Sequence, residues 1–185
     1  ASFNIFWPFT KGQNMLNLPY VEGKFQMDII ELLQTLRNEA SVRIAEAKQG
    51  VPRDFHFPSS ENIIKVAIGM RRSGKSYFLY QTINQLLANG IAESQILMIN
   101  FEDERLLPMT AKEMGQLLDA FYSLYPENHQ RCCYLFLDEV QNVSDWQLVV
   151  RRYFDSKNVQ IYLTGSSAKL LSTEIATSLR GRSLS

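Results

Sequence analysis

The run Gly69-Met70-Arg71-Arg72-Ser73-Gly74-Lys75-Ser76 has the spacing G-x-x-x-x-G-K-[ST], in which each residue type has a task on a polyphosphate. Gly69 and Gly74 let the main chain wrap closely around the phosphates without a side chain in the way. The main-chain N–H groups from Arg72 and Ser73 through Gly74, Lys75, Ser76 and Tyr77, at the opening of a helix, then face anionic oxygens. Lys75 would reach the β- and γ-phosphates, and the Ser76 hydroxyl would ligate magnesium. A chance match somewhere in the chain has odds of roughly 0.2%. Here the motif also follows a strand pattern and opens a helix, the context in which it works.

A second group of residues has the matching chemistry. Tyr134-Leu135-Phe136-Leu137 is an apolar run that delivers Asp138 and Glu139 at its end, the edge at which ligands sit in open α/β sheets. Asp138 suits the magnesium shell of a nucleotide held on the glycine loop. Glu139 suits the polarisation of an attacking water, a general-base role. Thr164-Gly165-Ser166-Ser167 ends a further strand pattern. There Ser166, with Thr164 as second choice, could contact the γ-phosphate or the water; the same residues would also serve as a helix cap. Arg180 and Arg182 could offer a guanidinium to a neighbouring subunit's phosphate, or simply favour a helix C-terminus.

These residues need a scaffold, and the patterning supplies one. Apolar positions from Asp28 to Lys48 predict a helix that stops at Gly50, with Pro52 beyond. Val51–Ser60 reads as a connector. Strand and helix patterns then alternate: strands at Ile63–Ile68, Ile96–Phe101, Cys132–Leu137 and Val159–Leu163, and helices at about 74–88, 110–125, from Ser144 through Phe154, and 168–179. Such alternation predicts a right-handed, doubly wound parallel sheet. Thr110-x-x-Glu113 and Ser144-x-x-Gln147 both read as capping boxes, the second with a Val143–Leu148 staple. The acidic run Glu102-Asp103-Glu104 reads as a solvated turn. His56 and His129 lack zinc spacing, and Cys132 and Cys133 read as small core residues.

Composition narrows the class. The 185 residues carry 19 Lys plus Arg and 19 Asp plus Glu, a net charge of zero. No global field therefore draws the chain to nucleic acid or an acidic membrane. Its 45% hydrophobic and 21% charged content is that of a folded domain rather than a disordered tail. Neither a membrane-spanning run nor a signal-peptide pattern stands out, and the adjacent cysteines cannot build a disulfide framework. A cytoplasmic protein is expected. Residues 1–14 read as an extension ahead of a native start at Met15, residues 15–60 as a helical segment and linker, and residues 61–185 as the core domain.

With these motifs in order, the chain resembles the AAA_14-type members of the prokaryotic AAA superfamily of ATPases. The run at 69–76 is similar to their G-x-R-R-x-G-K-[ST]. Leu137-Asp138-Glu139-Val140-Gln141 resembles L-D-E-[VI]-Q, and Trp146 falls where they carry a tryptophan. Leu163-Thr164-Gly165-Ser166-Ser167 and Leu179-Arg180-Gly181-Arg182 resemble L-T-G-S-S and L-x-G-R. The resemblance implies a P-loop NTPase αβα sandwich of strand order 5-1-4-3-2, with ATP and Mg2+ bound and ATP hydrolysed. It implies Ser166 as a sensor-like residue and Arg182 as the better arginine-finger candidate. Members continue with a fifth strand, a P-L-S-F-x-E segment and a DUF4143 region. None of these follows Ser185, so strand five is expected to be missing and strand one to be an open edge.

The expectation is an ATP-binding domain in which water attacks the γ-phosphate, with Glu139 orienting it and Lys75 and magnesium neutralising charge. A nucleotide-dependent switch with little turnover is the alternative. A P-loop kinase is a third reading, disfavoured by the adjacent Asp138-Glu139 pair and the lack of an Arg-rich lid. A homo-oligomeric or protein partner is compatible with an arginine finger. DNA is suggested by family analogy alone, and no membrane partner is expected.

Overall fold

The Asp28 side chain accepts a hydrogen bond from the Ile30 N–H at 3.1 Å and caps helix α1 (Ile29–Ala47), satisfying one of the donors a helix start leaves free. This is seen in a computed structural model that describes residues 28–51, 56–57, 63–70, 72–166 and the main chain of 183–184. In chain order there follow β1 (Ile64–Ile68), α2 (Lys75–Ala88), β2 (Ile96–Asn100), β3 (Met109–Thr110), α3 (Ala111–Leu124), β4 (Cys133–Asp138), β5 (Val143–Ser144), α4 (Trp146–Ser156), β6 (Val159–Gly165) and β7 (Ser183–Leu184). The helix expected over 168–179 lies outside the described residues.

Five strands form one parallel sheet in the order β2-β4-β6-β1-β7. Counting β2, β4 and β6 as strands two to four, this is the expected order. One expectation needs correcting. The fifth strand is not missing at its position: β7 lies parallel to β1, with Ile64 opposite Ser183 and Lys65 opposite Leu184. Two short segments, β3 and β5, pair with each other in a separate two-stranded ladder.

Side chains alternate across each strand, which sorts the sheet into two apolar layers. Leu135 and Leu137 of β4 and Ile161 and Leu163 of β6 pack with α3, α4 and the first half of α1. Phe136 and Tyr162 point the other way, stacked with centroids 4.4 Å apart, and pack with α2 and Ala47 at the end of α1. Helix α1 therefore touches both layers and lies along the outer strand β2. Its Arg37 guanidinium donates to the Ile96 carbonyl at 3.0 Å and lies over the Phe121 and Tyr125 rings. An outer strand that exposes carbonyls invites foreign pairing; here α1 covers it.

The two helices of the α3–α4 face start differently. Thr110 and Glu113 form the expected reciprocal capping box, with Thr110 N–H donating to Glu113 at 2.8 Å and Glu113 N–H donating to Thr110 Oγ1 at 3.3 Å. The capping box at Ser144 is not formed. Ser144 belongs to β5 and pairs with Thr110, and Asp145 precedes the helix in a left-handed conformation, φ 54°, without a side-chain cap. The proposed staple fails too, since Val143 is buried whereas Leu148 is 64% exposed. Burial of Trp146, Val149, Val150 and Tyr153 sets the helix's rotation, and that rotation turns Leu148 outward.

Among the described residues, no helix is long and apolar enough to cross a membrane.

Candidate functional site

Strand parity and register place the polar residues before any side chain is considered. Phe136 and Asp138 share the α2 face of β4, as do Tyr162 and Thr164 on β6. The register sets Leu137 opposite Leu163, so Asp138 and Thr164 come level at the carboxyl end of the sheet. There the main chain turns from β1 into α2 through the glycine loop.

The loop's backbone explains its composition. A β-carbon on Gly69 would lie 2.9 Å from Ser73 Oγ, and Gly74 sits at φ 82°, a left-handed conformation glycine adopts without strain. Arg72 is also left-handed, φ 61°. The Ser73 N–H closes the turn on the Met70 carbonyl at 3.2 Å. The Phe78 N–H donates to Gly74 at 3.0 Å. The N–H groups of Lys75, Ser76 and Tyr77 therefore precede the intrahelical ladder. No side chain caps this end of α2, which leaves it suited to an anion.

Lys75, buried, donates from Nζ to the carbonyls of Gly69 and Met70 at 3.0 Å each and pairs with Glu139 Oε1 at 3.0 Å. Ser76 Oγ donates to Asp138 Oδ2 at 2.5 Å. The Thr164 hydroxyl donates to Asp138 Oδ1 and accepts from the Glu139 N–H at 3.0 Å. Asp138 is fully buried, and burial pushes its carboxyl above the usual aspartate range. Glu139 adds to that rise, while the Ser76 and Thr164 hydrogen bonds and the Lys75 charge oppose it. Glu139 has a left-handed main chain, φ 51°, and its Oε2 accepts from Gln141 Nε2 at 2.6 Å.

The structure thus brings together Gly69, Gly74, Lys75, Ser76, Asp138, Glu139 and Thr164. The Tyr77 hydroxyl turns away and donates to the Ala47 carbonyl at the end of α1, at 3.2 Å, so only its main-chain N–H faces the loop's work. Ser166 lies just past β6, half-buried, and joins none of these contacts among the described residues. Thr164, the second choice in sequence, holds the position between Asp138 and Glu139; the parity of Tyr162 and Thr164 with Phe136 and Asp138 was the signal for it. Gln141 was given no role in the site, although it fills the glutamine position of the L-D-E-[VI]-Q resemblance. Arg71, Ser167, Arg180 and Arg182 lie outside the described residues.

The acidic turn, read as solvated, is paired through Asp103, and of the two cysteines read as core residues Cys133 is buried while Cys132 is half-buried. Asp103 binds Arg105, whose guanidinium also forks onto Glu39 of α1 at 2.6 and 2.9 Å, so this acidic turn anchors α1. Cys133 is buried, and burial pushes its thiol up to about 11, leaving it protonated at neutral pH. Among the described residues, no cluster of three or more His, Cys, Asp or Glu could hold a metal. Magnesium binds through one or two protein oxygens together with substrate phosphates. The Ser76 hydroxyl and the Asp138 carboxylate are hard oxygen donors of this kind, and they fit.

Comparison with known proteins gives a consistent picture. The AAA_14 profile, described as an AAA domain, matches residues 61–185. An uncharacterised protein of Methanocaldococcus jannaschii is 43% identical over 144 residues, covering 78% of this chain and 30% of that protein. An uncharacterised protein of Haemophilus influenzae is 41% identical over 122 residues, covering 65% of this chain and 30% of that protein. The chain spans about 30% of the length of these relatives. No solved structure matches.

Proposed function

The chain belongs to the AAA_14 family of AAA domains, and from that premise we propose that it binds ATP at the glycine loop and hydrolyses it to ADP and phosphate. The observation that carries this reading is the 2.5 Å hydrogen bond from Ser76 Oγ to Asp138 Oδ2. It joins the two motifs, 62 positions apart, through the two oxygens a nucleotide-bound magnesium would need.

In this reading the phosphates lie along the loop N–H groups and the start of α2. Lys75 leaves its carbonyl partners for the β- and γ-phosphate oxygens. Ser76 and Asp138 would hold a magnesium ion, which would supply charge neutralisation when bound. Glu139 accepts a proton from water as the water oxygen bonds to the γ-phosphorus. The bond from that phosphorus to the β–γ bridging oxygen breaks, and ADP departs with the electron pair. Thr164 holds both Asp138 and the Glu139 main chain, a fixed platform for the two carboxylates. Arg182 is proposed as the arginine offered to a neighbouring subunit's phosphate.

A fluorescent-ATP titration with magnesium, paired with a phosphate-release assay, tests the reading. Lys75→Ala is expected to weaken binding by at least roughly 100-fold, as loss of charge-assisted hydrogen bonds requires. Glu139→Gln is expected to bind ATP while turnover falls roughly 100- to 10,000-fold. Unchanged turnover in that variant removes Glu139 from the chemistry.

The Lys75–Glu139 ion pair favours a second reading, a nucleotide-operated switch. Nucleotide that draws Lys75 away frees Glu139, and this change alone could signal to a partner. Tight ATP binding with no phosphate release by the unaltered chain would select it.

A further inference from the structure

Glu139 is gripped from two sides. Its Oε1 lies 3.0 Å from Lys75 Nζ, and its Oε2 accepts from Gln141 Nε2 at 2.6 Å. Lys75 has three ammonium protons. Two are directed to the carbonyls of Gly69 and Met70, which leaves one for Glu139. A polyphosphate entering the loop competes for the same ammonium, so the grip from Lys75 is the one that a nucleotide loosens.

The Gln141 grip does not depend on the loop. A carboxylate can only accept, so the Gln141 amide must turn its NH2 toward Glu139 and its oxygen away. That oxygen is buried and has no hydrogen-bond partner among the described residues. Leaving an acceptor unpaired is unfavourable, and the amide holds this orientation for the sake of Glu139. Meanwhile the Glu139 main chain is fixed by its N–H bond to Thr164. With the main chain fixed, the direction of the carboxylate is set by its two partners.

We propose that Gln141 is a positioning residue that keeps Glu139 directed toward the attacking water after Lys75 has moved to the phosphates. The proposal rests on Glu139 being the general base. It assigns Gln141 no contact with ATP, so nucleotide affinity should not depend on it.

The test uses the full chain, with steady-state phosphate release and a fluorescent-ATP titration for Gln141→Ala, Gln141→Glu, Glu139→Gln and the double variant Glu139→Gln/Gln141→Ala. Gln141→Ala is expected to lower kcat by roughly 10-fold or more through loss of orientation, with KM and ATP affinity held within about twofold. Gln141→Glu keeps the shape but replaces the donor with a like charge, and it should be at least as damaging as alanine. A role in packing alone predicts the reverse order. In the Glu139→Gln background, Gln141→Ala should change the residual rate by less than about twofold, because there is no carboxylate left to direct.

A wild-type kcat in Gln141→Ala, a milder Gln141→Glu, or loss of ATP affinity equal to the loss of kcat would each overturn the proposal. If Glu139→Gln is inactive while both Gln141 variants turn over normally, only this inference falls. If Glu139→Gln turns over normally, or the unaltered chain has no turnover, the general-base reading falls and this proposal falls with it.

Discussion

At the carboxyl end of β4 a lysine, two carboxylates and a threonine hydroxyl are buried together, and three non-glycine or glycine turns there, at Arg72, Gly74 and Glu139, run left-handed. Along β2 the arrangement is the opposite. Helix α1 buries Leu33 and Leu36 and keeps its Glu39–Arg105 pair at the surface. Burying charge is costly even when it is paired, whereas apolar burial is the main source of folding free energy. The first region spends stability on buried polar groups; the second supplies stability through apolar burial. Substitutions in the two regions should therefore separate function from folding.

The largest effect should come from the site. Asp138→Asn keeps shape but removes the buried charge, and magnesium-dependent ATP binding should weaken by at least roughly 10-fold. In the nucleotide-free chain, the urea midpoint should not fall. A lower midpoint would show that the carboxylate also holds the fold, and the comparison would break. Next comes the edge: Leu33→Ala should cost about 2–5 kcal/mol in a urea unfolding curve while ATP affinity stays the same. A matching loss of affinity would mean that α1 shapes the loop. The smallest effect sharpens the contrast between helix starts. Thr110→Ala should cost about 1 kcal/mol, and Ser144→Ala, at a cap that does not form, less than about 0.5 kcal/mol.

Local chemistry was legible where neighbours in sequence do the work. The Thr110–Glu113 box and the glycines at 69 and 74 are each settled within a turn or two of chain. What escaped depends on pairing across distance. Ser144 resembles a helix cap, but its ladder with Thr110 claims it and leaves Asp145 in a left-handed turn. Thr164 meets Asp138 and the Glu139 N–H because of its register with Asp138, which only strand parity could have suggested. Gln141 is defined by one amide against one carboxylate two residues away. The left-handed main chain at Glu139 brings them together, and no periodicity encodes that turn. The same holds for β7, where two residues become a strand because β1 has a free side.

The end of α1 carries a practical consequence. A helix leaves its last carbonyls short of intrahelical partners; turn N–H groups reach those of Ala45, Glu46 and Ala47, and α2 adds side-chain donors to Ile44, Ala47 and, just past the helix, Val51. Asn84 donates to Ile44 at 2.8 Å, Tyr77 to Ala47 at 3.2 Å, and Gln81 to Val51 at 2.8 Å. At Gly50 a β-carbon would lie 1.3 Å from the Tyr77 hydroxyl oxygen, so the two helices meet without clearance. The family match begins at residue 61, and a recombinant fragment cut there would discard α1, uncover the β2 carbonyls and strip three side chains of α2 of their acceptors. Grafting or shuffling this unit between proteins should treat residues 28–51 as cargo that travels with the AAA domain.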